Sequence, residues 1–110
     1  MISIDVVIDM CSGLERQVLE SWISRDWVRP DARDGVYAFR DIDLARVRLI
    51  IELRDDLDVS ESALPIVLHL LDQLYDLRRQ VRELGDAITR VAPAHIRRDL
   101  ATELMRYAER

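Results

Sequence analysis

Apolar residues recur along the C-terminal half of the chain in an unbroken alternation of three- and four-residue steps. The eight positions, which we call the seam, are Val67, Leu70, Leu74, Leu77, Val81, Leu84, Ile88 and Val91. This spacing predicts the a/d stripe of a coiled coil on a helix about 37 Å long. Each exposed aliphatic side chain forgoes about 1.5–3 kcal/mol of burial. We therefore expect a second helix to cover the seam, most simply that of another copy in a homodimer.

Two shorter amphipathic patterns precede the seam. Ile4, Val7, Ile8 and Cys11 predict a first helix capped by Ser3, with a strand as the competing assignment because of the β-branched residues. The run Ser12–Glu15 has the spacing of a capping box. It predicts a second helix with its apolar residues buried, namely Leu14, Val18, Leu19, Trp22 and Ile23. Together the pair predicts a helix-turn-helix.

A small β-hairpin is predicted next. The segment Asp31–Gly35 is a turn signal because Asp-Gly favours positive backbone dihedrals. Val36–Phe39 is one expected strand, and Trp27-Val28 is its expected mate. This hairpin is the wing of a winged helix-turn-helix. The side chains of Trp22 and Trp27 are expected in the core, with an aromatic platform for nucleotides as the alternative.

Three further helices complete the predicted chain. Asp41 is expected to cap a third helix through Leu57, with these side chains facing inward: Ile42, Ala45, Leu49, Ile50, Leu53 and Leu57. The fourth helix carries the seam and is capped by Ser60 or Ser62. Pro65 favours Ser62, because proline is tolerated in a first helical turn. Pro93 ends that helix, and a last helix is predicted over Ala94–Ala108.

Composition narrows the class of protein. The chain has 110 residues, 49% hydrophobic and 34% charged, which fits a folded, helix-rich protein. We predict a head over residues 1–58, followed by a dimerisation helix and a C-terminal helix over residues 59–110. The N-terminus lacks the pattern of a signal peptide, and a lone Cys11 fits a reducing compartment, so the expected location is cytoplasmic.

Catalytic and metal-binding patterns are missing from the sequence. His69 and His95 have no companions at metal-ligand spacing, and the three glycines form no phosphate loop. Cys11 is expected to be a small core residue, and His69 an exposed one. We therefore expect no enzyme, no cofactor and no metal.

Charge is distributed unevenly. Residues 1–58 hold 13 acids against 8 arginines, a net charge of −5, whereas residues 59–110 hold 8 of each. Such a head repels phosphate and attracts a basic protein surface, although an ordinary solubilising charge is the alternative. The acids Asp55, Asp56 and Asp58 close the third helix, where the helix dipole disfavours negative charge.

The order of these elements resembles the MerR-type regulators, and within them the chaperone-modulator family, CbpM. The resemblance spans residues 1–92 and is carried by four stretches, which are Val28 and Pro30, the wing Val36–Phe39, the segment Leu53–Leu57 and the segment Leu64–Leu74. The fold class expected is all-α, a MerR-like winged helix-turn-helix with a small β wing and a long dimerising coiled-coil helix. The resemblance also implies antiparallel pairing of that helix.

The resemblance implies a regulator that binds the J-domain of a DnaJ-like co-chaperone, CbpA. Such a regulator blocks the co-chaperone's action on a DnaK-type chaperone. A J-domain presents a basic helix, so the expected contacts are acidic: Asp55, Asp56, Asp58, Asp72 and Asp76. An interaction domain for an unrelated basic partner is a further alternative.

DNA binding of the MerR type is the main rival. Glu20 stands where the recognition helix of that group carries an arginine, and Tyr37 replaces the wing arginine. Two phosphate contacts are thus missing, one with reversed sign, which argues against a duplex partner. Four arginines are still available for a basic strip, namely Arg16, Arg25, Arg29 and Arg33.

Overall fold

The computed structural model describes residues 1–108, which are mostly helical with one small antiparallel sheet. The helices are α1 (Ile4–Met10), α2 (Arg16–Ser24), α3 (Asp41–Ile51), α4 (Leu64–Val91) and α5 (Ala94–Ala108). The strands are β1 (Ile2–Ser3), β2 (Asp31–Arg33) and β3 (Val36–Phe39), and a π-helical turn, Glu52–Asp56, continues α3. The chain forms two compact units, Met1–His69 and Leu70–Arg110. No helix in the described part of the chain is long and apolar enough to cross a membrane.

The first two helices form as predicted. Of their two predicted caps, only the one at Ser3 is present. The Ser3 hydroxyl accepts a hydrogen bond from the Val6 amide at 3.4 Å, which confirms Ser3 as the cap of α1. The capping box at Ser12 is wrong. A turn closed by the Leu14 amide donating to the Cys11 carbonyl delays the helix, so that Glu15 takes the N-cap position without a side-chain hydrogen bond. Gly13, at a φ of 79°, makes that turn possible.

The wing has a different partner strand from the predicted one. β3 lies in the centre of the sheet and pairs with β2 on one side and β1 on the other. The pairing of Trp27-Val28 with β3 is therefore wrong. Asp34 and Gly35 are the two loop residues, with φ of 53° and 78°, and such a short loop leaves only β2 in register. Trp27 and Val28 are buried in the connection instead, and Trp22 is buried beside them in the core.

Helix α3 buries another face than the sequence suggested. Of the six residues expected inside, Ile50 and Leu53 are buried and Leu49 is half-buried, whereas Ile42, Ala45 and Leu57 are exposed. Leu44 and Val47 enter the core in their place. The helix carries apolar residues on two sides, so periodicity alone did not select the buried one. Strand β3 ends at the fully buried Phe39, and α3 begins two residues later. Because the connection is so short, it fixes which side of α3 faces the core.

A buried carboxylate fixes the start of α3. Asp43 accepts hydrogen bonds from the Arg40 backbone amide at 2.9 Å and from its guanidinium at 3.1 and 3.3 Å. Arg40, not Asp41, is the N-cap residue, and the Asp43 side chain in the first turn caps its backbone amide. The hydrogen bond to Asp43 raises the pKa of Arg40. The buried carboxylate is thereby fully partnered at a helix N-terminus, where negative charge is favoured.

Replacing Asp43 by alanine tests this cap. We expect Asp43→Ala to lower the free energy of unfolding by about 1–2 kcal/mol, because the cap is lost and the Arg40 amide loses its acceptor. Urea denaturation followed by circular dichroism measures the change. Asp41→Ala is the matched control, since Asp41 is an exposed acid in the same turn. An equal loss in the two variants would contradict a role for the Asp43 cap.

Helix α4 starts in the N-terminal unit. The Ser60 hydroxyl accepts a hydrogen bond from the Ala63 amide at 3.2 Å, so Ser60 and not Ser62 satisfies the entering backbone. Leu64 and Leu68 are buried and complete the core of this unit. Pro65 is the second residue of the helix, where its missing amide hydrogen has no consequence.

The C-terminal unit holds the rest of α4 and α5. Helix α5 has the predicted bounds, and none of its described residues is buried. Most of the seam is likewise exposed: Leu70, Leu74, Leu77, Val81, Leu84 and Val91. Val67 and Ile88 are half-buried. Val67 belongs to the N-terminal unit. Of the seven seam residues in the C-terminal unit, six therefore form an apolar face that α5 leaves exposed.

Candidate protein-interaction surfaces

The exposed face of α2 is the surface that a helix-turn-helix offers to DNA. Its outward residues are Arg16, Gln17, Glu20 and Ser24. The Arg16 guanidinium forms an ion pair with Asp5 of α1. Glu20 stands exposed one turn further along. The charge that this face offers to a phosphate backbone is therefore repulsive rather than attractive.

Only some of the remaining arginines of the predicted basic strip are free to contact a phosphate. Arg25 donates to the Glu61 carboxylate at 2.9 Å and lies over the Trp27 ring, 5.1 Å from its centroid. In the described part of the chain, Arg29 and Arg33 have no ion-pair partner. Tyr37, at the wing position where MerR-type regulators carry arginine, is half-buried and packs edge-on against Phe39. Two of the four arginines are thus neutralised by the chain itself.

The acidic turn at the end of α3 comprises Asp55, Asp56 and Asp58. Arg54 lies over the Trp22 ring, 5.5 Å from its centroid, and donates to both Asp55 oxygens at 2.7 and 3.1 Å. These hydrogen bonds lower the pKa of Asp55 below the ordinary value of 3.8. Asp55 is therefore committed to its own chain. This pairing had no signal in the periodicity, because Arg54 and Asp55 are simply neighbours.

Asp56 and Asp58 are the acids of this turn that face solvent unpaired. Both are exposed, and no cation in the described chain pairs with either of them. Asp58 adopts a φ of 52°, which places it at the sharp end of the turn. The Val59 amide donates to the Leu53 carbonyl at 2.9 Å and closes the segment. The turn is thereby held by backbone hydrogen bonds independently of its carboxylates.

The Arg54–Asp55 ion pair predicts that the stability of the fold depends on pH. Because the folded pKa of Asp55 is depressed, its stabilising effect is present above about pH 4 and is lost as the pH falls through the folded value. We expect the Asp55 carboxyl to titrate below 3.8 in NMR and to return towards it in Arg54→Gln. Arg79→Gln, which removes the exposed partner of Asp76 at 3.2 Å, is the control. An Asp55 titration that Arg54→Gln leaves unchanged would contradict the assignment.

The other two predicted contact residues lie on α4 in the C-terminal unit. Asp72 and Asp76 are exposed and one helical turn apart. Asp76 is paired with Arg79 at 3.2 Å. The structure therefore assigns the five predicted acids to two units, with Asp55, Asp56 and Asp58 together in one and Asp72 and Asp76 in the other.

The outward face of α3 is a surface that the sequence interpretation missed. It forms an open groove lined by Asp41, Ala45, Arg48, Leu49 and Glu52, together with the buried core residue Leu44. Ile42, on the same side, is 70% exposed. The signal is present in the sequence, since Ile42, Ala45 and Leu49 are apolar at i, i+3 and i+7, although the sequence predicts that they face inward. We call this surface the α3 face.

Ligand-binding chemistry is sparse elsewhere. Cys11 is a buried core residue and His69 is exposed, as predicted. Within residues 1–108 there is no group of three metal-ligating side chains.

Comparison with known sequences agrees with this architecture. No significant match to the chain was found among curated proteins or solved structures. The sequence profile described as MerR HTH family regulatory protein matches residues 2–86. That range includes the helix-turn-helix, the wing, α3 and most of α4, which is well over half of the chain. The chain belongs to the MerR HTH family of regulatory proteins.

Proposed function

We propose that this protein is a non-enzymatic regulator that binds the J-domain of a CbpA-like co-chaperone and blocks its action on a DnaK-type chaperone. The observation that carries the proposal is the charge on the helix-turn-helix. The one arginine on the exposed face of α2, Arg16, is held by Asp5. Glu20, one turn further along, has no ion-pair partner in the part of the chain that the structure describes. A regulator with this face is better suited to a cationic protein surface than to a phosphate backbone.

The acidic turn supplies contacts for a basic helix. Asp56 and Asp58 are exposed and unpaired within the described chain, so their charge is available to a partner. Asp55 contributes less, because Arg54 already neutralises it. Asp72 and Asp76 are a second acidic pair on α4. Exposed charges of this kind mainly set the association rate and its salt dependence.

The homodimer is part of the same proposal. The seam presents six exposed aliphatic residues on a single helix, a pattern typical of a coiled-coil partner. Gly85 lies within this stretch, and a Cβ added there would meet no atom of the described chain. Its small size leaves room for the close approach of a second helix.

DNA binding is the second candidate function, since the family match covers the helix-turn-helix and the wing. The observation in its favour is the pair Arg29 and Arg33, which are exposed and unpaired within the described chain. Phosphate contacts by these two arginines give a weak, strongly salt-dependent interaction.

Binding assays with both ligands separate the two functions. The wild-type protein is titrated with a purified CbpA-like J-domain, and separately with duplex DNA, at physiological salt. We expect J-domain binding that falls at least about tenfold in the triple variant Asp55→Asn, Asp56→Asn, Asp58→Asn. A smaller fall is expected in Asp72→Asn, Asp76→Asn.

The matched control removes three exposed acids elsewhere, as Glu83→Gln, Asp86→Asn, Asp99→Asn. It alters the net charge equally and is expected to keep J-domain binding. Tight DNA binding by the wild type, with no improvement in Glu20→Arg, would overturn the proposal. So would the failure of the wild type to bind any J-domain.

A further inference from the structure

We infer that the α3 face is the docking site for the cationic helix of the protein partner. This inference rests on the proposed J-domain binding and deepens it, because it names the surface that receives the basic helix. The acidic turn then lies at the border of the contact rather than at its centre.

The α3 face has the composition of an interaction site. Ile42 is 70% exposed, Ala45 is exposed and Leu49 is half-buried, although the same helix already supplies Leu44 and Val47 to the core. An amphipathic surface helix ordinarily turns its polar side to solvent. Here the solvent side carries the exposed Ile42 and Ala45 and the half-buried Leu49 at i, i+3 and i+7, between charged residues. Such a stripe matches a partner helix packed along α3.

The charges of the α3 face specify what kind of helix fits. Asp41 and Glu52 mark the two ends of the groove, about 16 Å apart along the helix axis. Both are exposed, and neither has an ion-pair partner within the described chain. A helix with cations about eleven residues apart and small apolar residues between them satisfies both carboxylates. Arg48 lies between the ends and disfavours a cation at the corresponding central position.

A second copy of this chain is a poorer occupant. The seam already offers a longer, uncharged apolar surface for self-association. The α3 face is short and bears charges at both ends, and contacts of that kind are typical of a recognition surface for a different protein. The acidic head adds an attractive field for a cationic partner.

Substitutions on the α3 face test the inference. Ala45→Arg places a long cation among the lining residues of the groove, and Glu52→Gln removes one end carboxylate without changing the shape. The probe is the purified J-domain, titrated by calorimetry at two salt concentrations. We expect at least tenfold weaker binding for Ala45→Arg. For Glu52→Gln we expect severalfold weaker binding with a reduced salt dependence. Ala101→Arg, at an exposed alanine of α5, is the matched control and is expected to bind like the wild type.

The outcomes separate the two levels of the proposal. Wild-type binding that survives both α3 substitutions but is lost in the Asp56→Asn, Asp58→Asn variant overturns the α3 face and leaves the J-domain function standing. No J-domain binding by the wild type overturns the function and, with it, this docking site. A shift of Ala45→Arg from dimer to monomer in sedimentation shows a contact between copies and also overturns the inference. We expect Ala45→Arg and Glu52→Gln to have the melting temperature of the wild type, because both residues are exposed.

Discussion

Leu77→Asp is expected to convert a dimer into a monomer. Leu77 is 57% exposed in the single chain and lies beside the midpoint of the seam. In either a parallel or an antiparallel pairing, residues next to the midpoint lie in the middle of the interface. Each substitution occurs twice in a homodimer, so at least about 3 kcal/mol of burial is lost, and the dissociation constant rises about 100-fold or more. Unpaired buried carboxylates add to the cost.

Sedimentation equilibrium at micromolar concentration measures this effect. Tyr75→Asp is the matched control, because Tyr75 is 60% exposed on the same helix but lies off the seam. The two variants put the same charge at sites of similar exposure, so only the interface distinguishes them. A well-folded monomeric wild type at micromolar concentration would remove the basis for the homodimer. Equal dissociation of the two variants would show that the seam is not the contact.

Phe39→Ala is expected to have the largest effect on folding. Phe39 is fully buried, ends the central strand β3 and pairs with Ile2 of β1. Its ring centroid lies 6.5 Å from that of Tyr37 in an edge-on contact. Truncating a buried phenylalanine costs about 3–5 kcal/mol. Small domains are stable by only about 5–15 kcal/mol, so we expect a marked fall in thermal stability or an unfolded N-terminal unit.

Calorimetry and urea denaturation measure the loss. Val36→Ala is the control on the same strand, because Val36 is 65% exposed and its side chain contributes little to the core. We expect a change below about 1 kcal/mol for this variant. A loss for Phe39→Ala no larger than that for Val36→Ala would contradict the role of the fully buried Phe39 in stabilising the core.

Much of the local structure could be predicted from the residues. The cap at Ser3 and the bounds of α5 follow from short-range rules, because helix propensity, caps and proline act within a few residues. Of the residues expected inside from the second helix pattern, Leu14, Leu19 and Trp22 are buried, whereas Val18 and Ile23 are half-buried. The turn predicted over Asp31–Gly35 is confirmed only at Asp34 and Gly35, which both have positive φ, because Asp31–Arg33 form β2 instead. The strand paired with β3 was not predicted, because the residues of β1 and β2 are too few to show an alternation of their own.

The candidate site was predictable only in part. Aspartates at positions 55, 56 and 58 can be counted in the sequence, but Arg54, which lies over the Trp22 ring, neutralises Asp55 through two hydrogen bonds. Likewise the sequence leaves Arg16 available for phosphate, whereas the structure pairs it with Asp5 of α1. These pairings depend on contacts between elements distant in sequence, or on side-chain conformations that neighbours impose. Periodicity carries no information about either.

The sequence by itself determined the seam, the order of the helices and the negative charge of the head, because each depends on residue type and spacing alone. Only the tertiary structure decided which side of α3 is buried. That helix carries apolar residues on two sides, and its rotation is set by the path from Phe39 and by the Arg40–Asp43 cap. Packing selects one apolar stripe for the core and leaves the other in solvent. The exposed stripe is the α3 face.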